Sequence, residues 1–570
     1  MATLVVPGVR VDAKFDVLPP QPAAAGVLGA VGIVDLVPPG DGLAGVTRLA
    51  ELREIFGPGT PVTMPQVVHA FANGVREVVV SPVLGGRAAR LTLNNRNGVP
   101  AVHLRARSAG AWANGGAEPS SGLRAEVRET TDAEGKALRV SLRLYLDGRQ
   151  VESFADLRVA PGEPDDLVTT INTRSAYVVA VDPGVDGTLP AAKEETFDAT
   201  KASPAITFRS AADKPLFDVV PAEGATANGL RVALTVTDNT IGIDVHQSGL
   251  QERHRGMTLD PDDDDYLPVV LATRSRLIRT RILSSLAPDA ALPAAVTVPA
   301  AFAEGESPSV DAYRTAVDRL AEDTRIDLVL AAVEPRRAAA DVRQIHQALL
   351  GHAVAMTDAG APRIAFGSIA PDEKAVSAVR DHASVVRNRR FVLVSPAGAE
   401  GAVAGLVARL DQHESPTFKQ VSLLDVAAAR YRESELNQLL GPTVNALVVQ
   451  DRRGRGVVVL KGIDTTGDQI SVTRVADQAI RETKAIAENF IGELNSDTAR
   501  VALKQQLIAM FTRLERAGAI VPSTDGEDPA FRVDVYSTQQ DFAQGIVRID
   551  IAVRPVRAID YVYATIRVKN

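Results

Sequence analysis

Strands and helices alternate between residues 310 and 412 of this 570-residue chain, and this alternation limits the possible folds more than any other feature. Short apolar runs, typical of buried strands, are each followed by the 3.6-residue apolar spacing of a helix. Helices are predicted at residues 310–322, 337–350, 372–386 and 399–410, and strands at 326–333, 363–366 and 391–395. Elements in this order form βαβ units, so the sequence predicts a largely parallel sheet covered by helices.

The N-terminal region adds elements of the same kind. The predicted strands are residues 27–36 and 77–82, and the predicted helices are 49–56 and 64–73. The second helix is expected to stop at Asn73 and Gly74, a pair suited to a helix C-terminus. Further upstream, residues 3–12 are predicted as a strand broken by Pro7 and Gly8.

Residues 96–285 differ from this pattern, because short alternating strands are separated by turns rich in Gly, Asn, Ser and Asp. The stretch also contains an internal repeat. Residues 152–175 align without a gap with residues 252–275, and both copies end in Thr-Arg-Ser. We therefore expect two similar β-rich modules, at residues 96–190 and 191–285.

The C-terminal region is predicted to contain two amphipathic helices and three strands. The first helix spans residues 475–494, and Asp497 is expected to cap the second. The inward-facing residues of the two helices are predicted to be Val475, Ala479, Ile486, Phe490, Leu494, Val501, Leu507, Phe511 and Leu514. The strands are predicted at residues 531–536, 546–553 and 561–568. In the middle strand apolar and charged residues alternate, so one face is expected to be buried and the other wet.

These patterns divide the chain into five parts. The Pro- and Ala-rich stretch 286–303 is predicted to be a linker. The parts are an N-terminal arm with the first core segment at 1–95, β-rich modules at 96–190 and 191–285, an α/β core segment at 286–420, and a C-terminal core segment at 421–570. The predicted fold class is α/β (α+β), with a mixed sheet flanked by helices and two β-rich inserted modules.

The chain offers few groups for catalysis or metal binding. It contains no cysteine, which excludes disulfides, zinc–thiolate sites and cysteine nucleophiles. No phosphate-binding loop or dinucleotide-binding glycine motif is present. His346 and His352 are six residues apart and are predicted to be partly exposed polar residues on different helix faces, not a metal pair. The sequence therefore predicts a protein that is not an enzyme and uses no cofactor.

An acidic run is the weak candidate for a metal site. It consists of Asp260, Asp262, Asp263, Asp264 and Asp265. An EF-hand loop needs Gly at its sixth position and Glu at its twelfth, where this chain has Asp265 and Leu271. A solvated acidic loop is therefore the favoured interpretation.

The charge balance and apolar pattern limit the partners. Lys and Arg number 62 and Asp and Glu number 70, and the net charge of −8 argues against nucleic-acid binding. No uncharged apolar run reaches the roughly 18 residues that span a bilayer, and the N-terminus lacks a signal-peptide pattern. We expect no membrane insertion, and assembly in the cytoplasm.

Several short motifs occur in a fixed order along the chain. In the C-terminal half they are Val403-Ala-Gly-Leu-Val-Ala-Arg-Leu-Asp411, Leu436-Asn-Gln-Leu-Leu440, Val444-Asn445, Gly454-Arg-Gly-Val-Val-Val-Leu-Lys-Gly462, Ile470-Ser-Val-Thr-Arg-Val-Ala-Asp477, Gly518-Ala-Ile520 and Asp541-Phe-Ala-Gln-Gly-Ile-Val547. Nearer the N-terminus they are Val6-Pro-Gly-Val9, Gly29-Ala-Val-Gly-Ile33, Ala70-Phe-Ala-Asn-Gly74 and Ala106-Arg-Ser-Ala-Gly-Ala-Trp-Ala-Asn114. These motifs and their order resemble those of contractile tail sheath proteins of phage tails and phage-like injection systems. The last motif is close to that family's A-R-S-P-G-x-W-G-N, with Ala109 in place of proline and Ala113 in place of glycine.

The resemblance implies an arrangement and a function. In that family the terminal parts form a sheath core and a middle insertion decorates the outside, so residues 1–95 and 286–570 would form the core here. Family members polymerise as stacked rings around an inner tube and contract to drive it through a target envelope. The implied partners are other copies of the chain, the inner tail tube protein, and the baseplate and tail terminator or cap proteins, in a phage tail or phage-like injection particle.

The resemblance also implies where subunits meet. In the family, terminal arms join a neighbour's sheet, and an exposed strand edge offers unpaired N–H and C=O groups for this. Intersubunit strand pairing is expected for Leu4, Val6, Val9, Val11, Tyr561, Tyr563, Ile566 and Val568. The alternative is that both strands pair within their own subunit.

Two other functions remain open from the residues alone. One is an adhesin-like surface-binding protein that uses the modules at 96–285. The other is a nucleotide-binding enzyme on the sheet of residues 310–412, against which the missing glycine-rich loop counts.

Overall fold

The computed structural model describes residues 26–38, 42–116, 120–131, 137–159, 165–181, 188–222, 224–260, 263, 265–283 and 292–561. In chain order the strands are β1 (Val27–Gly32), β2 (Ala44–Val46), β3 (Glu77–Pro82), β4 (Arg90–Asn94), β5 (Pro100–Ala106), β6 (Leu123–Thr131), β7 (Ala137–Leu146), β8 (Arg149–Leu157), β9 (Val178–Val181), β10 (Lys193–Thr196), β11 (Ile206–Arg209), β12 (Pro215–Pro221), β13 (Arg231–Thr237), β14 (Thr240–Gln247), β15 (Leu250–Met257), β16 (Ile278–Ile282), β17 (Val296–Ala301), β18 (Leu328–Ala332), β19 (Ile364–Ser368), β20 (Phe391–Ser395), β21 (Leu447–Arg452), β22 (Gly456–Val459), β23 (Phe531–Tyr536) and β24 (Arg548–Val553). The helices are α1 (Leu49–Phe56), α2 (Thr60–Thr63), α3 (Pro65–Ala72), α4 (Leu167–Arg174), α5 (Leu267–Arg274), α6 (Val310–Arg319), α7 (Ala339–Asp358), α8 (Val376–Val385), α9 (Glu400–Arg409), α10 (Glu433–Leu439), α11 (Ile470–Glu488), α12 (Asp497–Arg516) and α13 (Gln539–Ala543). Within the described ranges, none of these helices combines the length and apolar character needed to cross a bilayer.

Eight strands form a central sheet in the order β2-β3-β1-β18-β19-β20-β21-β22. The six inner strands run parallel, whereas β2 and β22 run antiparallel to their neighbours. Every residue of β18, β19 and β20 is buried, because helices cover both faces of the sheet. The predicted fold class, a mixed sheet flanked by helices, is confirmed.

Two hydrophobic layers hold the helices on the sheet. Helices α6, α7 and α8 cover one face with side chains such as Tyr313, Leu349 and Val379. Helices α1, α3 and α9 cover the other face, where Phe56 and Val403 are fully buried. Strands covered on both sides carry continuous apolar runs, and such runs are the basis of the sequence prediction.

Most predicted elements of this region occur, with shifts at their ends. Helix α1 and strands β3 and β20 have the predicted bounds. Helix α7 extends to Asp358, beyond the predicted end at residue 350. The helix tolerates Gly351 in its interior and ends only where Gly360 takes a positive φ of 76°.

The region between β3 and α6 contains four smaller sheets. Their strand orders are β17-β6-β7-β8, β4-β5-β9, β10-β13-β14-β15 and β11-β12-β16. The first two share one hydrophobic core and the last two share another. The predicted linker at 286–303 is wrong for residues 296–301, which form β17 and pair antiparallel with β6. The pairing register shifts between Val296 and Ala300, and Pro299, which has no N–H to donate, lies within this edge strand.

The sequence repeat corresponds to a repeated hydrogen-bond geometry. Glu152 accepts hydrogen bonds from the Ser175 hydroxyl at 2.6 Å and from the next main-chain N–H at 2.8 Å. Glu252 makes the same two contacts with Ser275 and the N–H that follows it, at 2.6 and 2.8 Å. In each copy the carboxylate therefore fastens the end of a short helix, α4 or α5, to the preceding hairpin.

The C-terminal region departs from its prediction at α11. The helix begins at Ile470 and ends at Glu488, whereas residues 475–494 were predicted. Gly492 takes a positive φ of 91° in the turn that follows. Leu494 lies in that connection and is 84% exposed, so its predicted inward position is wrong.

Helix α12 also differs in detail. Its N-cap is Ser496, whose side chain accepts a hydrogen bond from the N–H three residues later, and Asp497 is the first helical residue instead of the predicted cap. Val501 is 54% exposed, so its predicted inward position is also wrong. Leu507, Phe511 and Leu514 are buried as predicted.

Candidate intersubunit interface

Strands β23 and β24 form a two-stranded antiparallel sheet. Val533 pairs with Ile551, and both residues belong to the apolar face that packs on α12. The rings of Phe511 and Phe531 stack there with their centroids 5.4 Å apart. The opposite face is exposed and carries Arg532, Asp534, Arg548 and Asp550. The alternation of apolar and charged residues predicted for residues 546–553 is therefore present in β24.

The outer edges of this hairpin are largely open. Among the described residues β23 pairs only with β24, and β24 gains a second neighbour only beyond its end, at the bridge between Ile520 and Pro555. An isolated two-stranded sheet is marginally stable in water and presents unpaired N–H and C=O groups along its edges. This geometry suits the addition of a strand from another chain.

The N-terminal end of the described chain is fixed at the amino end of β1. The Gly26 N–H donates a hydrogen bond at 2.8 Å to Oδ2 of Asp327, the residue immediately before β18. Gly26 has a φ of 90°, and a Cβ on it would lie 2.4 Å from the Ala408 carbonyl oxygen. Only glycine fits this position, so the N-terminal segment joins the core at a defined point.

The C-terminal end is held at the start of α11. The Gln469 side chain accepts a hydrogen bond from Ala558 N–H at 2.9 Å, and its amide donates to Asp560 Oδ2 at 2.8 Å. Arg557 Nη1 lies 2.9 Å from Asp468 Oδ1. These contacts hold residues 557–560 against the start of α11.

Buried charges connect α11 to the amino end of the central sheet. Arg390 contacts both oxygens of Asp477 at 2.5 and 2.6 Å. Arg481 donates to the main-chain carbonyls that precede β18 and β19, at 2.7 and 2.6 Å. Burial lowers the pKa of Arg474 to about 10, so this guanidinium stays charged at neutral pH. Helix α11 therefore connects the contacts that hold residues 557–560 to the central sheet.

Most of the residues predicted to pair with another subunit lie outside the described part of the chain. Leu4, Val6, Val9, Val11, Tyr563, Ile566 and Val568 lie outside the described residues. Tyr561 is described, and the Lys461 ammonium lies 5.5 Å from the centre of its ring. Pairing of these residues with another subunit stays a prediction.

The acidic run forms a surface turn in its described part. Asp262 and Asp264 lie outside the described residues. Asp263 Oδ1 accepts a hydrogen bond from Asp265 N–H at 3.0 Å, and Arg105 donates to the Asp263 carbonyl at 2.7 Å. No group of three or more potential metal ligands occurs in the part of the chain that the structure describes.

The predicted exposure of two histidines is wrong. His346 and His352 are both buried. His346 Nδ1 lies 2.9 Å from His382 Nε2, and His382 Nδ1 lies 2.6 Å from Glu373 Oε2. His352 Nε2 accepts from Arg363 at 2.6 Å. Helical spacing could not reveal these contacts, because most of the partners come from other elements.

The sequence matches two models of one protein family. Residues 307–465 match the phage tail sheath protein central domain, and residues 464–569 match the phage tail sheath C-terminal domain. No curated protein matches the chain.

Solved structures of sheath proteins are also similar to this chain. The sheath tail protein of Desulfitobacterium hafniense is 13% identical, with 97% of each chain covered and a TM-score of 0.46. The sheath tail protein of Listeria innocua is 11% identical, with 94% of this chain and 92% of that chain covered and a TM-score of 0.43. The contracted helical sheath of the anti-feeding prophage is 19% identical over 45% of this chain and 74% of that chain, with a TM-score of 0.35. Because two consecutive domain models of one family match in order, residues 307–569 of this chain belong to the phage tail sheath family.

Proposed function

We propose that this chain is the structural subunit of a contractile tail sheath, which polymerises as stacked rings around an inner tube and contracts to drive the tube through a target envelope. Membership of the sheath family supports the class of particle. The observation that carries the assembly mode is the β23–β24 hairpin, whose edges are largely open among the described residues. Arms from neighbouring copies complete this sheet through main-chain hydrogen bonds.

The pairing residues are those expected from the sequence. They are Leu4, Val6, Val9 and Val11 in the N-terminal arm and Tyr561, Tyr563, Ile566 and Val568 in the C-terminal arm. Gly26 and Gln469 hold the ends of the core from which these arms extend. Fixed starting points let each arm reach the same position on its neighbour throughout the lattice.

The same arrangement accounts for contraction without a chemical fuel. Each core moves as a packed unit, and the arms keep neighbours connected while the cores rotate. The extended lattice is kinetically trapped, and the shortened lattice buries more surface between subunits. Head-to-tail contacts between identical chains give an open helix.

The five parts of the chain take different positions in the proposed sheath. Residues 1–95, 286–420 and 421–570 form the sheath core, and the modules at 96–190 and 191–285 face outward. The partners are further copies of this chain, the inner tail tube protein, and the baseplate and tail terminator or cap proteins. Assembly takes place in the cytoplasm, and no enzymatic step, cofactor or nucleic acid is involved.

Removal of either arm tests this proposal. Deletion of residues 1–12 or 561–570 is expected to leave a folded monomer with the circular dichroism and melting curve of the full chain. Negative-stain microscopy is expected to show hollow tubes for the full chain and none for either deletion. Tubes of normal length from either truncated protein would refute strand pairing by the arms.

A further inference from the structure

A cleft of about 1070 Å³ lies at the carboxyl ends of the parallel strands. Its walls include the segments that follow β18, β19 and β20, and the turn between β7 and β8 contributes the rim. Strand β1 lies between β3 and β18, so the chain builds the sheet outward from β1 in both directions. In doubly wound sheets, ligands bind outside the carboxyl ends of strands at such a change of direction.

Two buried side chains give the cleft hydrogen-bond acceptors. Glu400 and Gln66 line it and are 3% and 4% exposed. Glu400 Oε2 and Gln66 Oε1 have no hydrogen-bond partner among the described residues. A buried acceptor without a donor costs free energy, so both atoms favour a donor from outside the chain.

Two donor side chains at the cleft are already engaged. Both ring nitrogens of His69 contact main-chain carbonyls, those of Gly398 at 3.1 Å and Leu424 at 2.6 Å. Arg337 contacts Glu334 at 3.1 Å and Asp341 at 2.9 Å. Neither side chain is therefore free to satisfy Glu400.

His346 lines the same cleft and belongs to a buried relay of hydrogen bonds. Arg343 donates to Glu373 Oε1 at 2.9 and 2.5 Å, and Glu373 Oε2 accepts from His382 Nδ1 at 2.6 Å. His382 Nε2 lies 2.9 Å from His346 Nδ1. Burial, followed by the charge of His382, lowers the pKa of His346 well below its usual value, so this ring stays neutral. The relay therefore supports one wall of the cleft without adding a positive charge at His346.

We propose that this cleft binds a hydrogen-bond-donating cation, a guanidinium or a primary ammonium group, with Glu400 as its counter-charge and Gln66 as a further acceptor. The cation belongs either to a small molecule or to an arginine or lysine side chain of a second copy of the chain. Both sources offer the same N–H donors and positive charge.

Electrostatics supports a cation in particular. Burial raises the pKa of Glu400, opposed by Ser368, Gln66 and His69. A cation against this carboxyl stabilises its ionised form, so binding releases a proton from any Glu400 that is protonated. A neutral ligand with the same shape does not provide this stabilisation.

Calorimetric titration of the full-length protein with methylguanidinium tests the site, with uncharged N-methylurea as the matched ligand. Saturable binding of methylguanidinium is expected, together with at least about tenfold weaker binding of N-methylurea. Glu400→Gln keeps the shape but removes the charge, and is expected to weaken methylguanidinium binding by about tenfold or more. Glu322→Gln, at an exposed position outside the cleft, is expected to bind like the wild type.

The source of the cation is decided by comparing monomer with assembled protein. If a second copy supplies it, assembly blocks methylguanidinium binding and Glu400→Gln raises the concentration required for assembly about tenfold. If a small molecule supplies it, assembled protein binds methylguanidinium and Glu400→Gln assembles normally. Equal binding of both ligands, or absence of binding together with normal assembly of Glu400→Gln, overturns the proposal.

Discussion

At the scale of single residues, the space between α7 and the central sheet is filled to contact. A Cβ on Gly367 would lie 2.6 Å from two ring atoms of His346 and 2.8 Å from the Phe391 ring. The absence of a side chain at Gly367 therefore makes room for the histidine relay. In contrast, Gly351 lies on the exposed side of the same helix, where a Cβ would meet no neighbouring atom within 4 Å.

These two glycines give a matched prediction. Gly367→Ala is expected to lower the free energy of unfolding by about 1–3 kcal/mol, because the added methyl group overpacks the core. Gly351→Ala is expected to raise it by about 0.4–1 kcal/mol, because alanine costs less backbone entropy in a helix. Urea unfolding measures both changes, and a loss of stability in Gly351→Ala equal to that in Gly367→Ala would contradict this account.

His352 predicts a pH dependence of stability. Burial, followed by the charge of Arg363, lowers the pKa of His352 from 6.5 to about 4. Between these values the unfolded chain binds a proton that the folded chain does not, so the free energy of unfolding falls as the pH falls from 6.5 to 4. His352→Gln keeps an acceptor for Arg363 and removes this titration.

The measurement is the slope of stability against pH. Over this interval the variant is expected to lose less stability than the wild type, by up to about 1.4 kcal/mol per pH unit. Chemical unfolding at several pH values gives both slopes. Parallel curves for the two proteins would show that His352 is protonated equally in the folded and unfolded states.

At the scale of elements, the two repeated carboxylate contacts, made by Glu152 and Glu252, have the same geometry but different charge environments. Burial raises the pKa of Glu152, despite its bonds to Ser175 and Ala176. At Glu252 burial acts in the same direction, but bonds that include one from His254 outweigh it and lower the pKa. The hydrogen bonds that orient each short helix are therefore the same in both copies of the repeat. The pKa of the carboxylate, however, is shifted in opposite directions in the two copies.

Gln469 carries the prediction that belongs to this scale. Gln469→Ala removes the contacts with Ala558 and Asp560 and is expected to cost about 1–3 kcal/mol locally. Faster hydrogen exchange is expected in residues 556–561, together with shorter or fewer tubes. Gln438→Ala, at an exposed position of α10, is the control and is expected to change neither. Unaltered exchange in Gln469→Ala would show that these contacts do not hold the C-terminal end.

At the scale of the whole molecule, Arg107 joins the inserted region to the central sheet. Its Nη1 lies 3.5 Å from Asp35 Oδ2, and its Nε donates to the Ser175 carbonyl at 2.7 Å. Asp35 also accepts from Gly59 N–H at 2.9 Å. Burial raises the pKa of Asp35, and the Arg107 charge opposes this. A polar contact that is buried on both sides holds the insertion in a defined position on the core.

The prediction at this scale concerns the assembled particle. Under the proposed contraction mechanism the shortened lattice is the more stable one, so brief heating or mild denaturant is expected to shorten sheaths irreversibly without added nucleotide. Length distributions from negative-stain images measure the change. A requirement for ATP hydrolysis by this chain would refute a mechanism driven only by stored lattice energy.

The sequence determined most of the local elements of this protein. Apolar spacing predicted the strands and helices of the central sheet, and α1, β3 and β20 have the predicted bounds. The ordered motifs predicted the family that the domain matches confirm. These features depend on neighbouring residues or on residue order, and both are contained in the sequence.

Only the tertiary structure decided which surfaces meet. Strand β17 exists because β6, far away in the chain, offers it an edge, whereas its Pro- and Ala-rich sequence predicted a linker. His346 is buried because α8 and the loop before it bring His382 and Glu373 to it. The two acceptors of the cleft likewise come from separate helices, α3 and α9. Burial and hydrogen bonding at such places depend on distant segments, so no local pattern predicts them.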